Sequence, residues 1–243
     1  MSDIAWIKQR PIAHRGYHDQ NKLCWENTLS AFAAAVDKNF AIECDVHLSS
    51  DGVPIILHDS DLKRLTGSEG FVWQRTAAEM QALSIGGTAD HVPTLAEMLA
   101  LVAGRVPLVI EIKGIAGHDA GLVAKVAAQL RKYTGKVALM SFDHWIIRDF
   151  PKYAPGIPAG LTAYGGMQQE FEAHASMLVN GISFVSYDVT ALPNPFVAFL
   201  RERLAMPVIS WTVRDRAALA LSLAHADQMT FEGFDPDGGD LTA

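Results

Sequence analysis

The chain alternates between two kinds of segment. Short apolar runs that read as strands recur at residues 11–14, 41–47, 107–112, 137–141, 159–162, 184–187, 208–211 and 228–231. Stretches with helical spacing separate most of them, clearest at 119–133, 195–204 and 215–224. The first helix opens after Glu26-Asn27-Thr28, where Leu29, Phe32, Ala33 and Val36 share one face and Asn27 or Thr28 supplies the cap. Parallel neighbours need long crossovers, so this alternation predicts an α/β fold with a parallel sheet. Eight strands predict a closed (β/α)8, or TIM, barrel. An open doubly wound sheet would want a glycine-rich first turn, and His14-Arg15-Gly16 is not one.

Two segments depart from the beat. Residues 41–47 alternate Ile42, Cys44 and Val46 against Glu43, Asp45 and His47, a strand period, and Asp51-Gly52 then signals a hairpin with a return strand at 53–57. A two-residue turn pairs Ser50 with Val53 and sets Asp45 opposite His58. Residues 60–92, with Gly67, Gly70, Gly86 and Gly87, form the second departure. They hold one helix start, the capping box Thr76 to Glu79; a second box, Thr94 to Glu97, begins a helix ending near Gly104. The stretch is too short for a large core of its own. It reads as a small insertion after the second barrel strand, within a single domain spanning 1–243.

Hydrophobic residues make up 49% of the chain and charged ones 19%, so a packed core is expected and disorder is not. A net charge of −7 argues against a nucleic-acid partner but allows a small anionic substrate if the site is locally positive. Cys24 and Cys44 show neither metal-ligand spacing nor a disulfide framework, and read as ordinary reduced thiols. The first residues lack a signal-peptide core, and no apolar run approaches the ~20 residues of a membrane helix. The expectation is a soluble, cytoplasmic protein without stable membrane insertion.

Strand ends in such a barrel face the active site. His14 ends the first strand. Glu43 and Asp45, two apart near the end of the second, share a face, and Glu111 and Lys113 do the same on the third. Glu111 stands in the apolar run Leu108-Val109-Ile110-Glu111-Ile112, where an unpaired charge costs several kcal/mol. Carboxylates hold a hard cation, Mg2+ or Ca2+ rather than Zn2+, histidines move protons near neutral pH, and Arg15 and Lys113 offer positive charge to a phosphate. Each residue also has an ordinary structural reading. Glu43 and Asp45 can form the solvated side of a strand, Glu111 can be an ion pair with Lys113, and His14 or His58 singly can be a core or surface histidine. Their joint placement points to metal-assisted phosphodiester cleavage. His47 is given a supporting role; His18, His91, His118, His144, His174 and His225 are read as non-functional.

One family carries these residues in order. His14-Arg15-Gly16, Glu26-Asn27-Thr28, Glu43-x-Asp45-Val46, Asp51-Gly52, His58-Asp59, Leu62-x-Arg64-x-Thr66-Gly67, Glu111-Ile112-Lys113, Ser141-Phe142 and Trp211-Thr212-Val213 together resemble the glycerophosphodiester phosphodiesterase family. The resemblance covers most of the chain and implies the barrel with its insertion. It also implies divalent-metal-dependent hydrolysis of a small-molecule glycerophosphodiester to glycerol 3-phosphate and an alcohol. Carried over by position, Glu43, Asp45 and Glu111 hold the metal, His14 and His58 are the acid–base pair, and Arg15 and Lys113 bind phosphate. The route the family implies is attack by the neighbouring glycerol hydroxyl, then opening of a cyclic phosphate by water.

The chain departs from the family pattern at Trp25, where proline is common, at Arg214, where asparagine is common, and at Phe231-Glu232 in place of a Thr-Asp pair. Trp211 and Phe142 are placed against substrate or, equally, in the core. Two other readings of the same residues are a zinc-dependent barrel hydrolase using His14, His47 or His58, and an inactive phosphodiester-binding barrel.

Overall fold

The computed structural model of the chain describes residues 4–238. Its elements run β1 (Ile12–Ala13), α1 (Leu29–Asp37), β2 (Ala41–Leu48), β3 (Pro54–Ile56), α2 (Lys63–Thr66), α3 (Ala77–Gln81), α4 (Leu95–Val102) and β4 (Leu108–Ile112). They continue with α5 (Leu122–Leu130), β5 (Val137–Ser141), α6 (His144–Tyr153), β6 (Ala159–Ala163), α7 (Gln168–Ala175) and β7 (Phe184–Asp188). The chain closes with α8 (Pro195–Arg203), β8 (Val208–Val213), α9 (Arg216–His225) and β9 (Gln228–Phe231). Strands neighbour one another in the order β1-β9-β8-β7-β6-β5-β4-β2-β3, and β1 also pairs with β2. Eight parallel strands therefore close on themselves as a (β/α)8 barrel, with β3 added antiparallel to β2.

Alternation along the strands divides the core into two layers. Ile12, Ala41, Val109, Ala138, Phe184 and Ile209 form an apolar plug with Trp6 and Ile7 from the preceding turn. The residues between them, such as Ile42, Cys44, Val46, Ile110 and Ile112, pack under the helices against Phe32, Met98 and Val126. Glu43, Asp45 and Glu111 fall on the inward face, so the apolar plug at one end gives way to charge at the other.

The hairpin differs from its expected register by one residue. Val46 pairs with Ile56, His47 with Ile55 and Leu48 with Pro54. Asp45 is accordingly opposite Leu57, whose N–H donates to the Asp45 carbonyl at 3.1 Å, and not opposite His58. Three residues, not two, make the turn. Ser49 N–H donates to the Val53 carbonyl, Gly52 N–H to the Ser49 carbonyl, and Ser49 Oγ braces both Asp51 and Val53. Such three-residue hairpins place a glycine in the left-handed region, and Gly52 has φ +77°. β2 pairs with β4 on one edge; on the other it pairs with β1 only at Ala41 and Ile42. The rest of that edge is left for β3, which carries the chain up to His58 beside the barrel mouth.

Residues 60–92 contain the two short helices α2 and α3, with the Thr76–Glu79 capping box in place. Their apolar side chains, among them Leu62, Leu65, Val72, Met80 and Ile85, form a small cluster with Ile55 and Leu57 of the hairpin. Trp25, where the family pattern has proline, packs its indole on Gly86: a Cβ there would lie 2.0 Å from the ring. Gly86 also has φ +59°. Ser30 and Asp90 join the same two segments at 2.9 Å. The β1–α1 segment and the insertion thus close against each other, and Gly86→Ala should destabilise the protein by about 3 kcal/mol through clash and backbone strain together. Urea unfolding should show the loss, and the Trp25→Ala background should shrink it, because the clashing ring is then gone.

Candidate active site

A cavity of about 290 Å3 opens at the C-terminal ends of the strands. His14, Arg15, Glu43, Asp45, His58, Glu111 and Lys113 line one part of it; Met140, Phe142, Thr162, Ser186, Trp211, Thr212, Arg214 and Thr230 line the rest. Every residue expected to bear chemistry, Trp211 included, borders this one space. His14 sits at the end of β1, Glu43 and Asp45 on β2, Glu111 on β4 with Lys113 just beyond, and His58 two residues past β3.

Glu43, Asp45 and Glu111 are buried, each with an oxygen within 4.8 Å of the others'. Parallel pairing sets Asp45 directly beside Glu111. Lys113 Nζ answers with ion pairs of 2.8 Å to Asp45 and 2.5 Å to Glu111. The ion-pair reading of Glu111 and its place in a carboxylate cluster are therefore both true. Burial and the charges of Asp45 and Glu111 push Glu43 well above the ordinary carboxylate range. Burial likewise raises Glu111, against the pull of Lys113, to about 7. Asp45 goes the other way: burial opposes its ionisation, but Lys113, Arg15 and His58 outweigh burial and hold it low. If all three were ionised the acids would outnumber Lys113 and Arg15 by one charge, and the donors are all oxygen. That set fits a hard divalent cation.

The segment from 15 to 28 explains its own motif. Arg15 (φ +55°) and Gly16 (φ +84°) make a left-handed turn, and a Cβ on Gly16 would fall 2.8 Å from that of Ala31. Arg15 N–H donates to Glu43 at 3.0 Å, and its guanidinium reaches Glu26 at 2.6 Å and lies 3.4 Å from Asp45. Asn27, also left-handed at φ +56°, donates from its amide to Asp45 at 2.8 Å. Thr28 caps α1 by accepting from Ala31 N–H. Each member of Glu26-Asn27-Thr28 has a separate task.

Both imidazoles rest on carboxylates through Nδ1. His14 Nδ1 lies 2.5 Å from Glu232, and His14 Nε2 lies 3.9 Å from Glu43. Burial lowers His14 to about 4, against the opposing hydrogen bond from Glu232. Glu232 also binds Arg214 Nε at 2.5 Å, with His18 Nε2 3.8 Å away. Burial resists its ionisation, but its bonds to His14 and Arg214, with His18 close by, prevail and hold it well below the usual range. His58 Nδ1 lies 2.7 Å from Asp59, and burial lowers His58 too. Desolvation lowers the pKa of His47 to about 4, and its Nε2 donates to the His58 carbonyl at 3.0 Å.

Several residues beside the site had gone unassigned. His18 is buried near Glu232. Arg214 and Glu232, two separate departures from the family pattern, prove to be one ion pair. Arg64, inside the insertion, holds both Asp59 and Glu26. Arg64 carried a signal as part of Leu62-x-Arg64-x-Thr66-Gly67, Arg214 as a departure from the family pattern, and Glu232 as the acid standing where an acid was due; none of these signals named a partner. Phe142 meets Trp211 edge-on at 5.3 Å, and Trp211 Nε1 donates to the Ser186 carbonyl, which holds that side of the cavity aromatic.

A family profile described as the glycerophosphoryl diester phosphodiesterase family matches residues 14–238. A glycerophosphodiester phosphodiesterase of Caldanaerobacter subterraneus subsp. tengcongensis is 31% identical over 198 residues, 77% of this chain and 79% of the relative. The fold superimposes on a phosphodiesterase of Oleispira antarctica solved with its product sn-glycerol-3-phosphate, with a TM-score of 0.79 at 23% identity over 93% of this chain and 94% of that one. A glycerophosphodiester phosphodiesterase of Thermotoga maritima gives a TM-score of 0.72 at 26% identity over 90% and 92%. The chain belongs to the glycerophosphoryl diester phosphodiesterase family, a family of hydrolases.

Glu26 makes the acid stability of this region predictable. It is 4% exposed, and burial alone would raise it, but Arg64, Arg15 and Asn21 bring it down to about 2 from 4.5. A lowered carboxylate stabilises the fold above its unfolded value and loses that contribution as pH falls toward its folded one. Urea unfolding of the wild type should therefore lose roughly 3 kcal/mol through Glu26 between pH 5 and pH 2. Glu26→Gln should be weaker at pH 7 and fall less steeply over the same interval.

Proposed function

We propose that this chain is a divalent-metal-dependent glycerophosphodiester phosphodiesterase that releases glycerol 3-phosphate and an alcohol. Barrel and insertion act as one catalytic domain, on a small-molecule substrate, in the cytoplasm. No helix among the described residues is long and apolar enough to cross a membrane. The observation that carries the reading is the single cavity shared by three clustered carboxylates, two cationic side chains and two imidazoles, each imidazole with Nδ1 on its own carboxylate.

Glu43, Asp45 and Glu111 would hold the cation, Mg2+ or Ca2+, whose charge would neutralise phosphoryl oxygens. Arg15 and Lys113 supply the remaining positive charge to the phosphate. With Nδ1–H given to Glu232, His14 presents an unprotonated Nε2 to the cavity and serves as the base. It takes the proton of the glycerol 2-hydroxyl as that oxygen bonds to phosphorus. His58, held by Asp59 and the more open of the two, gives its proton to the departing alcohol as the P–O bond breaks. In the second half, His58 accepts a proton from water as water attacks the cyclic phosphate. His14 returns its proton to the 2-oxygen. Trp211 and Phe142 pack against the substrate's carbon skeleton.

The cluster supports a hard cation over zinc because its three donors are all carboxylate oxygens. Glycerol 3-phosphate release from glycerophosphocholine and glycerophosphoethanolamine tests the reading, and it fails if the purified wild type releases none from a broad headgroup panel. His14→Ala and His58→Ala should each lower kcat about 10²–10⁴-fold with the circular dichroism spectrum unchanged. Excess chelator should abolish turnover and added Mg2+ or Ca2+ restore it; full activity in chelator would remove the metal.

A further inference from the structure

We propose that Arg64 is a positioning residue that couples the acid–base group His58 to the phosphate-binding Arg15, through the chain His58–Asp59–Arg64–Glu26–Arg15. The roles of the two end members rest on the function proposed above. Arg64 stands on α2, inside the insertion, and does not border the cavity. Its guanidinium holds two carboxylates at once. Nε and Nη2 donate to Asp59 at 2.6 and 2.9 Å, and Nη1 and Nη2 to Glu26 at 3.0 and 2.8 Å.

Each of those carboxylates is shared. Asp59 Oδ1 takes both Arg64 Nη2 and His58 Nδ1, at 2.7 Å for the latter. Glu26 Oε1 takes both Arg64 Nη2 and Arg15 Nη1, at 2.6 Å for the latter. Neither the imidazole nor the Arg15 guanidinium is oriented independently of Arg64. An isolated exposed ion pair would contribute little. Here Arg64 is itself 44% exposed, but its two carboxylate partners are only 6% and 20% exposed, and the contact is forked on both sides. A lysine cannot reproduce a planar fork that spans two carboxylates. Without Arg64, Glu26 keeps only Arg15 and Asn21 and Asp59 keeps only His58, and nothing fixes the two carboxylates, or the groups they orient, against each other.

The chain does not simply hold the insertion in place. Trp25 on Gly86 and Ser30 on Asp90 already close the same two segments. Removing Arg64 should therefore leave the fold intact while it disconnects the site.

The test is a triple-mutant cycle of Asp59→Asn, Glu26→Gln and Arg64→Gln, read by kcat, by KM and by glycerol 3-phosphate affinity from calorimetry. Asp59→Asn should lower kcat with little change in KM, because the imidazole loses its orienting acceptor. Glu26→Gln should weaken glycerol 3-phosphate, because Arg15 turns toward the carboxylates. Arg64→Gln should do both, and free guanidinium should restore part of each loss. The effects of Asp59→Asn and Glu26→Gln on kcat/KM should depart from additivity by about fivefold when Arg64 is present, and multiply when it is absent. Arg64→Lys should behave like Arg64→Gln and keeps the test open if the glutamine variant does not fold. Additive effects with Arg64 in place, or wild-type kinetics in either Arg64 variant, would overturn the coupling. A wild type inactive on every diester would instead overturn the functional reading, and the two failures are separate.

Discussion

Like charges crowded into a protein interior are the constraint around which this barrel is arranged. Glu43, Asp45 and Glu111 are buried with oxygens in mutual reach, and such a set cannot ionise fully without compensation. Lys113 supplies one positive charge from the adjacent strand and Arg15 a second from the loop after β1. Asn27 adds a neutral donor. The compensation is uneven: Asp45, bonded to Lys113 and Asn27 with Arg15 close by, is held ionised, while Glu43 and Glu111 are displaced upward. That uneven compensation distinguishes the cluster from an internal salt bridge.

The two histidines border this cluster, and each is oriented from elsewhere. His14 depends on Glu232, which reaches across the closing β1–β9 seam, and Glu232 depends in turn on Arg214. His58 depends on Asp59 and, through it, on the insertion. The same length of chain that departs from strand–helix alternation thus supplies the electrostatic support of a site residue. This is a reason for the insertion to pack as tightly as Trp25 on Gly86 requires.

Much of the fold could be read along the chain, because strand and helix differ in period and each barrel strand carries its own signal. Strands at Val137–Ser141 and Gln228–Phe231 have the expected bounds, and both capping boxes sit where Thr76 and Thr94 announced them. The hairpin register was misread by one residue. Asp51-Gly52 marks a turn but not its length, and it is Ser49, through its own hydroxyl and amide, that closes the turn one residue earlier. His58 still reaches the cavity, since it lies beyond the last β3 pair and is not held to the ladder. The burial of His18 beside Glu232 is not legible along the chain, because a histidine has no local signature for burial and Glu232 lies more than two hundred residues away.

The site shows the same division. The amino-acid order alone placed acids, histidines and cations at strand ends, since a period of two assigns side chains to faces and the barrel assigns strand ends to one mouth. It also determined the local turns, where Gly16 and Asn27 accept left-handed backbone at little cost. Which side chains share a proton, a charge or a carboxylate was decided only by the closed barrel. Arg214 with Glu232, Glu232 with His14, and Arg64 between Asp59 and Glu26 are contacts between segments distant in sequence or folded back on each other. Coulomb and hydrogen-bond energies depend on distance in space, and separation along the chain does not carry that distance.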